Sequence, residues 1–123
     1  MKTARNQKIV FSLVIVLFLL GSSAIAAFAE DPEQVIKITA KRFEYSPSEI
    51  QLKKGVLVVL EFTSLDRLHG FSCPGLGLRT DIPPGQVTKV RFVPEKVGTF
   101  PFHCDIFCGE GHEDMAGKFI VQE

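Results

Sequence analysis

The sequence has little cysteine, histidine and methionine, it has no tryptophan, and neither sign of charge is in excess. Its 123 residues include 3 Cys, 3 His and 2 Met, and 14 Lys plus Arg balance 14 Asp plus Glu. A neutral chain lacks the basic excess with which nucleic-acid-binding surfaces contact phosphates. Hydrophobic residues make up 46% of the chain, and a segment near the N-terminus raises this figure above that of an ordinary globular domain.

Residues 1–29 have the pattern of a secretory signal peptide. The basic start Met1–Lys8 leads into the apolar stretch Ile9–Leu20, and small residues then end in Ala27-Phe28-Ala29, which predicts cleavage before Glu30. The alternative is an uncleaved anchor, because a nearly unbroken apolar stretch up to residue 29 is long enough to span a bilayer. We favour cleavage, and both interpretations predict a periplasmic or otherwise extracytoplasmic protein, with membrane contact only through an uncleaved segment.

The remaining residues, 30–123, suffice for one domain with one modest core. This domain contains all three cysteines of the chain. An odd number of cysteines in an exported domain cannot pair completely within the chain. At least one thiol therefore has another role, such as binding a metal, bonding an external partner or filling the core.

The domain is predicted to be all-β. Alternation from residue 34 through Tyr45 indicates an edge strand, and the Pro and Gly residues between 74 and 85 indicate a long loop. Residues 104–115 form a second, polar loop. The other predicted strands are 56–62, 86–93, 98–103 and 118–121. Short strands separated by turns, with no helical apolar stripe, predict a Greek-key sandwich or barrel.

The second loop carries the side chains with metal chemistry. Cys104, Cys108, His112 and Met115 lie within twelve residues, and His69 lies upstream. Thiolate, imidazole and thioether together suit copper. Calcium prefers oxygen ligands, and structural zinc prefers a closed set of Cys and His. A single Cys with His and Met would indicate a mononuclear blue copper site, whereas two thiolates can bridge two copper ions.

The spacing Cys-x3-Cys-x3-His-x2-Met, preceded by Asp-x2-His, resembles the CuA domain of cytochrome c oxidase subunit II, a member of the cupredoxin family. A similar site occurs in nitrous oxide reductase. The resemblance runs from about Val35 to the end of the chain and includes the segments 66–71 and 76–85. It implies a cupredoxin-like fold with a binuclear copper centre that transfers electrons.

The resemblance also implies a ligand set with three kinds of member. Two thiolates bridge the metals, two imidazoles are terminal ligands, and a thioether and a backbone carbonyl are weak axial ligands. By this resemblance, Cys104 and Cys108 are the bridging thiolates and His69 and His112 are the terminal imidazoles. Met115 supplies the thioether and Ile106 the backbone carbonyl.

Departures from the oxidase pattern narrow the expected role. Ile106 stands where the oxidase has a glutamate, tryptophan is absent, and the chain lacks the membrane hairpin of subunit II. It is also too short to contain the propeller domain of nitrous oxide reductase. We therefore expect a non-enzymatic electron carrier with no catalytic residues. Its redox partners would be proteins such as a c-type cytochrome or an oxidase-like complex. It could be an accessory to such a complex. The alternatives are a periplasmic copper carrier for oxidase assembly and a mononuclear blue copper protein.

Several residues near the motif have simpler interpretations. A disulfide between Cys104 and Cys108 is the plain alternative to a metal site. His103 is expected to point away from the site, and Cys73 is expected to fill the core unless it contacts incoming copper. Acidic side chains crowd the loop, where they are either simply solvated or steer a positively charged partner; these are Asp105, Glu110, Glu113 and Asp114.

Overall fold

The computed structural model describes residues 32–123, which contain nine β-strands and two short 3₁₀ turns. The strands are β1 (Glu33–Lys41), β2 (Glu44–Ser46), β3 (Glu49–Lys53), β4 (Leu57–Ser64), β5 (His69–Cys73), β6 (Leu78–Ile82), β7 (Thr88–Phe92), β8 (Gly98–His103) and β9 (Ala116–Gln122). The turns are Pro74–Leu76 and His112–Asp114. The predicted signal segment and its cleavage site lie outside the described residues. Within these residues, no helix is long and apolar enough to cross a membrane.

The strands form two sheets. One sheet has the order β2-β1-β4-β7, and the other has the order β3-β9-β8-β5-β6. The chain crosses repeatedly from one sheet to the other, as expected for a Greek-key sandwich. The predicted all-β fold is confirmed.

Aromatic side chains fill the space between the sheets. Phe62 of β4 lies against Phe71 of β5, with ring centroids 4.6 Å apart, and Phe102 and Phe119 continue the cluster at 4.9 Å from each other. All four rings are fully buried. Burying side chains of this size contributes most of the favourable free energy of such a core.

Two features differ from the sequence prediction. The predicted edge strand is divided between β1 and β2, and β1 lies inside its sheet, paired in parallel with β4. The predicted long loop between residues 74 and 85 contains strand β6, which pairs with β5 from Cys73↔Leu78 to His69↔Ile82. Strand β6 has the alternation of an edge strand, with Arg79 and Asp81 facing solvent, but it is only five residues long and lies between Gly and Pro residues that indicate a loop.

The sandwich brings two segments to one end of the second sheet. Strands β8 and β9 pair from Gly98↔Val121 to His103↔Ala116, so residues 104–115 form the loop that joins them. Strand β5 pairs with β8 through Ser72↔His103. The start of β5 therefore lies beside the predicted ligand loop.

Candidate metal centre

The ligand loop, residues 104–115, is closed at its base by backbone pairing. Cys104 N donates a hydrogen bond of 3.0 Å to the Met115 carbonyl oxygen, directly beyond the last pair of the β8–β9 ladder. A 3₁₀ turn over His112–Asp114 shortens the return path. The loop thus turns Cys104, Cys108 and Met115 inward, and all three are buried.

His69 joins this loop from the first position of β5. Its side chain is fully buried, and its ligating atom lies within 4.8 Å of both Cys104 Sγ and Cys108 Sγ. Alternation along the strand places His69, Phe71 and Cys73 on the core-facing side. The strand therefore presents the imidazole to the two thiols.

The other predicted ligands surround the same thiols. Cys108 Sγ lies 3.9 Å from Cys104 Sγ, 3.6 Å from His112 Nδ1 and 3.9 Å from Met115 Sδ. The Ile106 carbonyl oxygen lies 3.2 Å from Cys104 Sγ. The structure consequently brings all six predicted site residues together around one sulfur pair.

The two ring nitrogens of His69 have different surroundings. Nε2 lies 2.6 Å from Asp66 Oδ1. Nδ1 is buried and has no hydrogen-bond partner within residues 32–123. Buried polar atoms are normally paired, and a carboxylate on one ring nitrogen is the usual support for a histidine that binds metal through the other. The donor set therefore fits a metal ion, and its sulfur and imidazole ligands favour copper.

Asp66 is held as a carboxylate by three donors. Partial burial raises its pKa, but this effect is outweighed by hydrogen bonds from Arg42 N at 2.8 Å, from His69 and from Arg67 N at 2.7 Å, so that the pKa falls to about 2. An ionised Asp66 accepts a hydrogen bond from the Nε2–H group of His69. This leaves the Nδ1 lone pair free to bind a metal.

The Cys108 thiol lies in surroundings that disfavour an isolated thiolate. Burial raises the pKa of Cys108 to about 11, and the neighbouring Cys104 adds to the shift. All three cysteines are free. Metal binding by Cys108 therefore requires the metal to displace its proton.

A buried tyrosine supports Cys104 through one intervening residue. Tyr45 Oη donates a 2.6 Å hydrogen bond to the Gly70 carbonyl oxygen, and Gly70 N donates at 3.4 Å to Cys104 Sγ. Burial is the main cause of a pKa of Tyr45 far above its usual value, and the nearby Cys104 adds to it. Tyr45 is thus a permanently neutral donor.

The remaining side chains singled out from the sequence lie apart from the sulfur pair or face solvent. His103 is exposed at the end of β8, whereas Cys73 is fully buried, and burial raises the pKa of its thiol. Asp105 is bound by Arg79 through two hydrogen bonds of 2.9 and 3.0 Å, which lower its pKa. Much of its charge is therefore neutralised, whereas the other acidic side chains of the loop, Glu110, Glu113 and Asp114, are exposed.

Sequence reasoning gave no role to Tyr45, Arg42, Phe43 or Arg67. Arg42, Phe43 and Tyr45 contact the site from a segment far from it along the chain, and Arg67, although close to His69 in sequence, contacts Cys108 41 positions away. The one local signal was the Asp-x2-His spacing, which places Asp66 and His69 at either end of a short turn.

Comparisons with known proteins identify the family of the domain. The profile of the cupredoxin-like domain family matches residues 10–121. Cytochrome c oxidase subunit 2 of Thermus thermophilus is 33% identical over 91 residues, which cover 74% of this chain and 67% of that protein. Nitrous-oxide reductase of Cupriavidus necator is 33% identical over 99 residues, but the match covers only 15% of its length.

A solved structure shares the fold. The periplasmic domain of cytochrome oxidase subunit II (CoxB) of Bradyrhizobium japonicum superposes with a TM-score of 0.68 and 21% identity, covering 76% of this chain and 88% of that domain.

Proposed function

The chain belongs to the family of cupredoxin-like domains, and we propose that it is an electron-transfer protein with two copper ions in a CuA-type centre. The observation that carries the proposal is the pair of buried thiols, Cys104 and Cys108, 3.9 Å apart. Each thiol has a further candidate ligand atom close by, the Ile106 carbonyl oxygen for Cys104 and His112 Nδ1 for Cys108. A mononuclear site needs only one thiolate, whereas two neighbouring thiolates would hold two copper ions.

Each side chain has a definable part in holding the metals. Cys104 and Cys108 would bridge them, and His69 Nδ1 and His112 Nδ1 would be the terminal ligands. The Met115 thioether and the Ile106 carbonyl would be weaker ligands. Bound copper supplies a one-electron redox couple.

The surrounding protein favours electron transfer over reaction with a substrate. Cys108, Met115 and His69 are fully buried, so their positions are fixed by packing. Two strands hold the ends of the ligand loop. A rigid, water-poor site limits the rearrangement that accompanies a change of charge. Because we assign the thiols and imidazoles around the sulfur pair to metal binding, we propose no catalytic residue within residues 32–123.

The proposed location and partners follow from the sequence pattern and the relatives. Residues 1–29 would direct export, residues 30–123 would form the copper domain, and that domain would act outside the cytoplasm, as does the periplasmic domain of CoxB. Its partners would be a donor and an acceptor, such as a c-type cytochrome or an oxidase-like complex. The chain spans 67% of the Thermus oxidase subunit, so the activity of that whole complex is not transferred to it.

Copper content and electron paramagnetic resonance test the proposal. The purified domain should bind two copper ions per chain, and its mixed-valence form should show one unpaired electron coupled to two copper nuclei. One copper(II) per chain with coupling to a single nucleus would instead support a blue copper protein. A single, readily exchanged copper(I) would support a copper carrier.

A matched pair of variants assigns the thiols. Cys108→Ser removes a proposed bridge and should abolish the coupling to two nuclei. Cys73→Ser changes a buried thiol outside the ligand loop and should retain two copper ions. The reverse result would refute the ligand assignment.

A further inference from the structure

The carbonyl group of Cys108 is held by two arginine side chains from outside the ligand loop. Arg42 Nε, in the turn between β1 and β2, donates to this oxygen at 3.1 Å. Arg67 Nη1, in the connection between β4 and β5, lies 3.4 Å from the same oxygen. Hydrogen bonds from charged donors are stronger than neutral ones, so this peptide is anchored on two sides.

The next residue of the same turn, Phe43, packs against the following part of the ligand loop. A Cβ atom added to Gly109 would lie 3.2 Å from the Phe43 ring, and one added to Gly111 would lie 3.1 Å from it. Both glycines have positive φ, 134° and 99°, which other residues rarely adopt. The ring therefore supports the path of the chain between Cys108 and His112.

Asp66 joins these contacts to the histidine on β5. One carboxylate oxygen accepts from Arg42 N, and the other lies 2.7 Å from Arg67 N and 2.6 Å from His69 Nε2. The segments of Arg42 and Arg67, whose side chains hold the Cys108 carbonyl group, are thus hydrogen-bonded to Asp66, which orients His69. Asp66 therefore connects the supports of Cys108 and His69, which lie far apart in the sequence.

We propose that Arg42, Phe43 and Arg67 form a clasp that positions Cys108 and His112 for metal binding. The inference rests on the proposed copper site, because it concerns how that site is held. None of the three side chains is a ligand. They restrict the ligand loop before metal arrives, and so reduce the conformational freedom that is lost when copper binds.

Copper loss to a chelator in excess tests the clasp in Arg42→Ala and Phe43→Ala. Substituting groups that orient metal ligands typically lowers metal affinity by about 10- to 100-fold, and we expect each variant to lose copper at least about 10-fold faster than the parent. Arg42→Lys retains a charged donor and should restore part of the difference. Phe43→Leu retains apolar volume and replaces Phe43→Ala in the test if Phe43→Ala does not fold.

Two controls separate positioning from general stability. Phe100 is a half-buried ring on β8 that packs against Gly75, and it lies four residues before Cys104, about 13 Å along a strand. Phe100→Ala should lower the melting temperature without accelerating copper loss. Arg91 is an exposed arginine on β7, and Arg91→Ala should change neither quantity.

Hydrogen exchange of the metal-free protein provides a readout independent of copper. The amides of residues 109–112 should exchange faster in Arg42→Ala and Phe43→Ala than in the parent, while the β8–β9 ladder remains protected. Unchanged exchange and unchanged copper loss in both variants would overturn the clasp. A parent protein with one copper per chain would instead refute the binuclear centre. The rates of copper loss from the variants and the parent would still show whether the clasp positions the ligands.

Discussion

Substituting Tyr45 by Phe removes one oxygen atom from the support of Cys104. The ring of Tyr45 lies edge-on to Phe102 and Phe71, with centroids 5.3 and 6.4 Å away, and phenylalanine keeps these contacts. The 2.6 Å hydrogen bond to the Gly70 carbonyl oxygen is lost, together with the hydroxyl group's contact with Cys104. The experiment therefore separates the polar contacts of a buried hydroxyl group from the packing around the ring.

The expected destabilisation follows from the carbonyl group left behind. A buried acceptor that loses its partner costs about 1–3 kcal/mol. For a domain of this size, each kcal/mol lowers the melting temperature by roughly 4–8 °C. Tyr45→Phe should therefore lower the Tm of the metal-free protein by at least about 4 °C.

The same variant should alter the copper-loaded protein. Gly70 N donates to Cys104 Sγ at 3.4 Å, so a shift of Gly70 on loss of the hydrogen bond to its carbonyl oxygen changes a hydrogen bond to a proposed bridging thiolate. Such bonds tune the properties of a metal centre. The visible absorption and the reduction potential should both shift, while two copper ions are retained.

Thermal unfolding followed by circular dichroism measures the first effect, and spectroelectrochemistry measures the second. Thr80→Val is the matched control, because it removes a hydroxyl group that donates to Asp81 O at the surface, and such changes usually stay within about 0.5 kcal/mol. The reasoning would be refuted if Tyr45→Phe matched this control in Tm and left absorption and potential unchanged.

Three further substitutions have distinct expected outcomes. Gly117→Ala places a methyl group against the Phe102 ring and the Ser48 carbonyl oxygen, and should destabilise the domain by about 1–3 kcal/mol or more in a denaturant titration. Met115→Leu removes the Sδ atom 3.9 Å from Cys108 Sγ, and should keep both copper ions but shift the potential; loss of copper would contradict a weak axial role. Cys73→Ala should leave the visible spectrum unchanged, and a bleached sample would make Cys73 a ligand.

Local pattern was sufficient to predict the parts of the fold that depend on neighbouring residues. Strand β8 was predicted with the bounds it has, because Pro94 precedes its apolar alternation and the polar ligand loop follows it. The position of β1 was wrong, because its place inside the sheet depends on parallel pairing with β4, which no local pattern encodes. Strand β6 was missed because it is only five residues long and the Gly and Pro residues on either side of it indicate a loop.

In the candidate site, too, some residues could be predicted from local sequence and others could not. The soft side chains are concentrated in one loop, so their spacing was sufficient to predict a site where the structure gathers them. The residues that hold this loop come from elsewhere. Arg42 and Cys108 are separated by 66 positions, and Tyr45 and Gly70 by 25. Only the folded sandwich brings such pairs together, and ordinary residues such as arginine and tyrosine have no distinctive spacing that could identify them.

The position of β9 sets an order of events during biogenesis. This strand lies between β3 and β8, and it follows directly after the ligand loop. Until residues 116–122 have been synthesised and docked, β8 has only β5 as a neighbour and the ligand loop has no second fixed end. A chain that lacks β9 therefore contains three thiols but no assembled site. Metal binding at the proposed site must follow completion of the sheet.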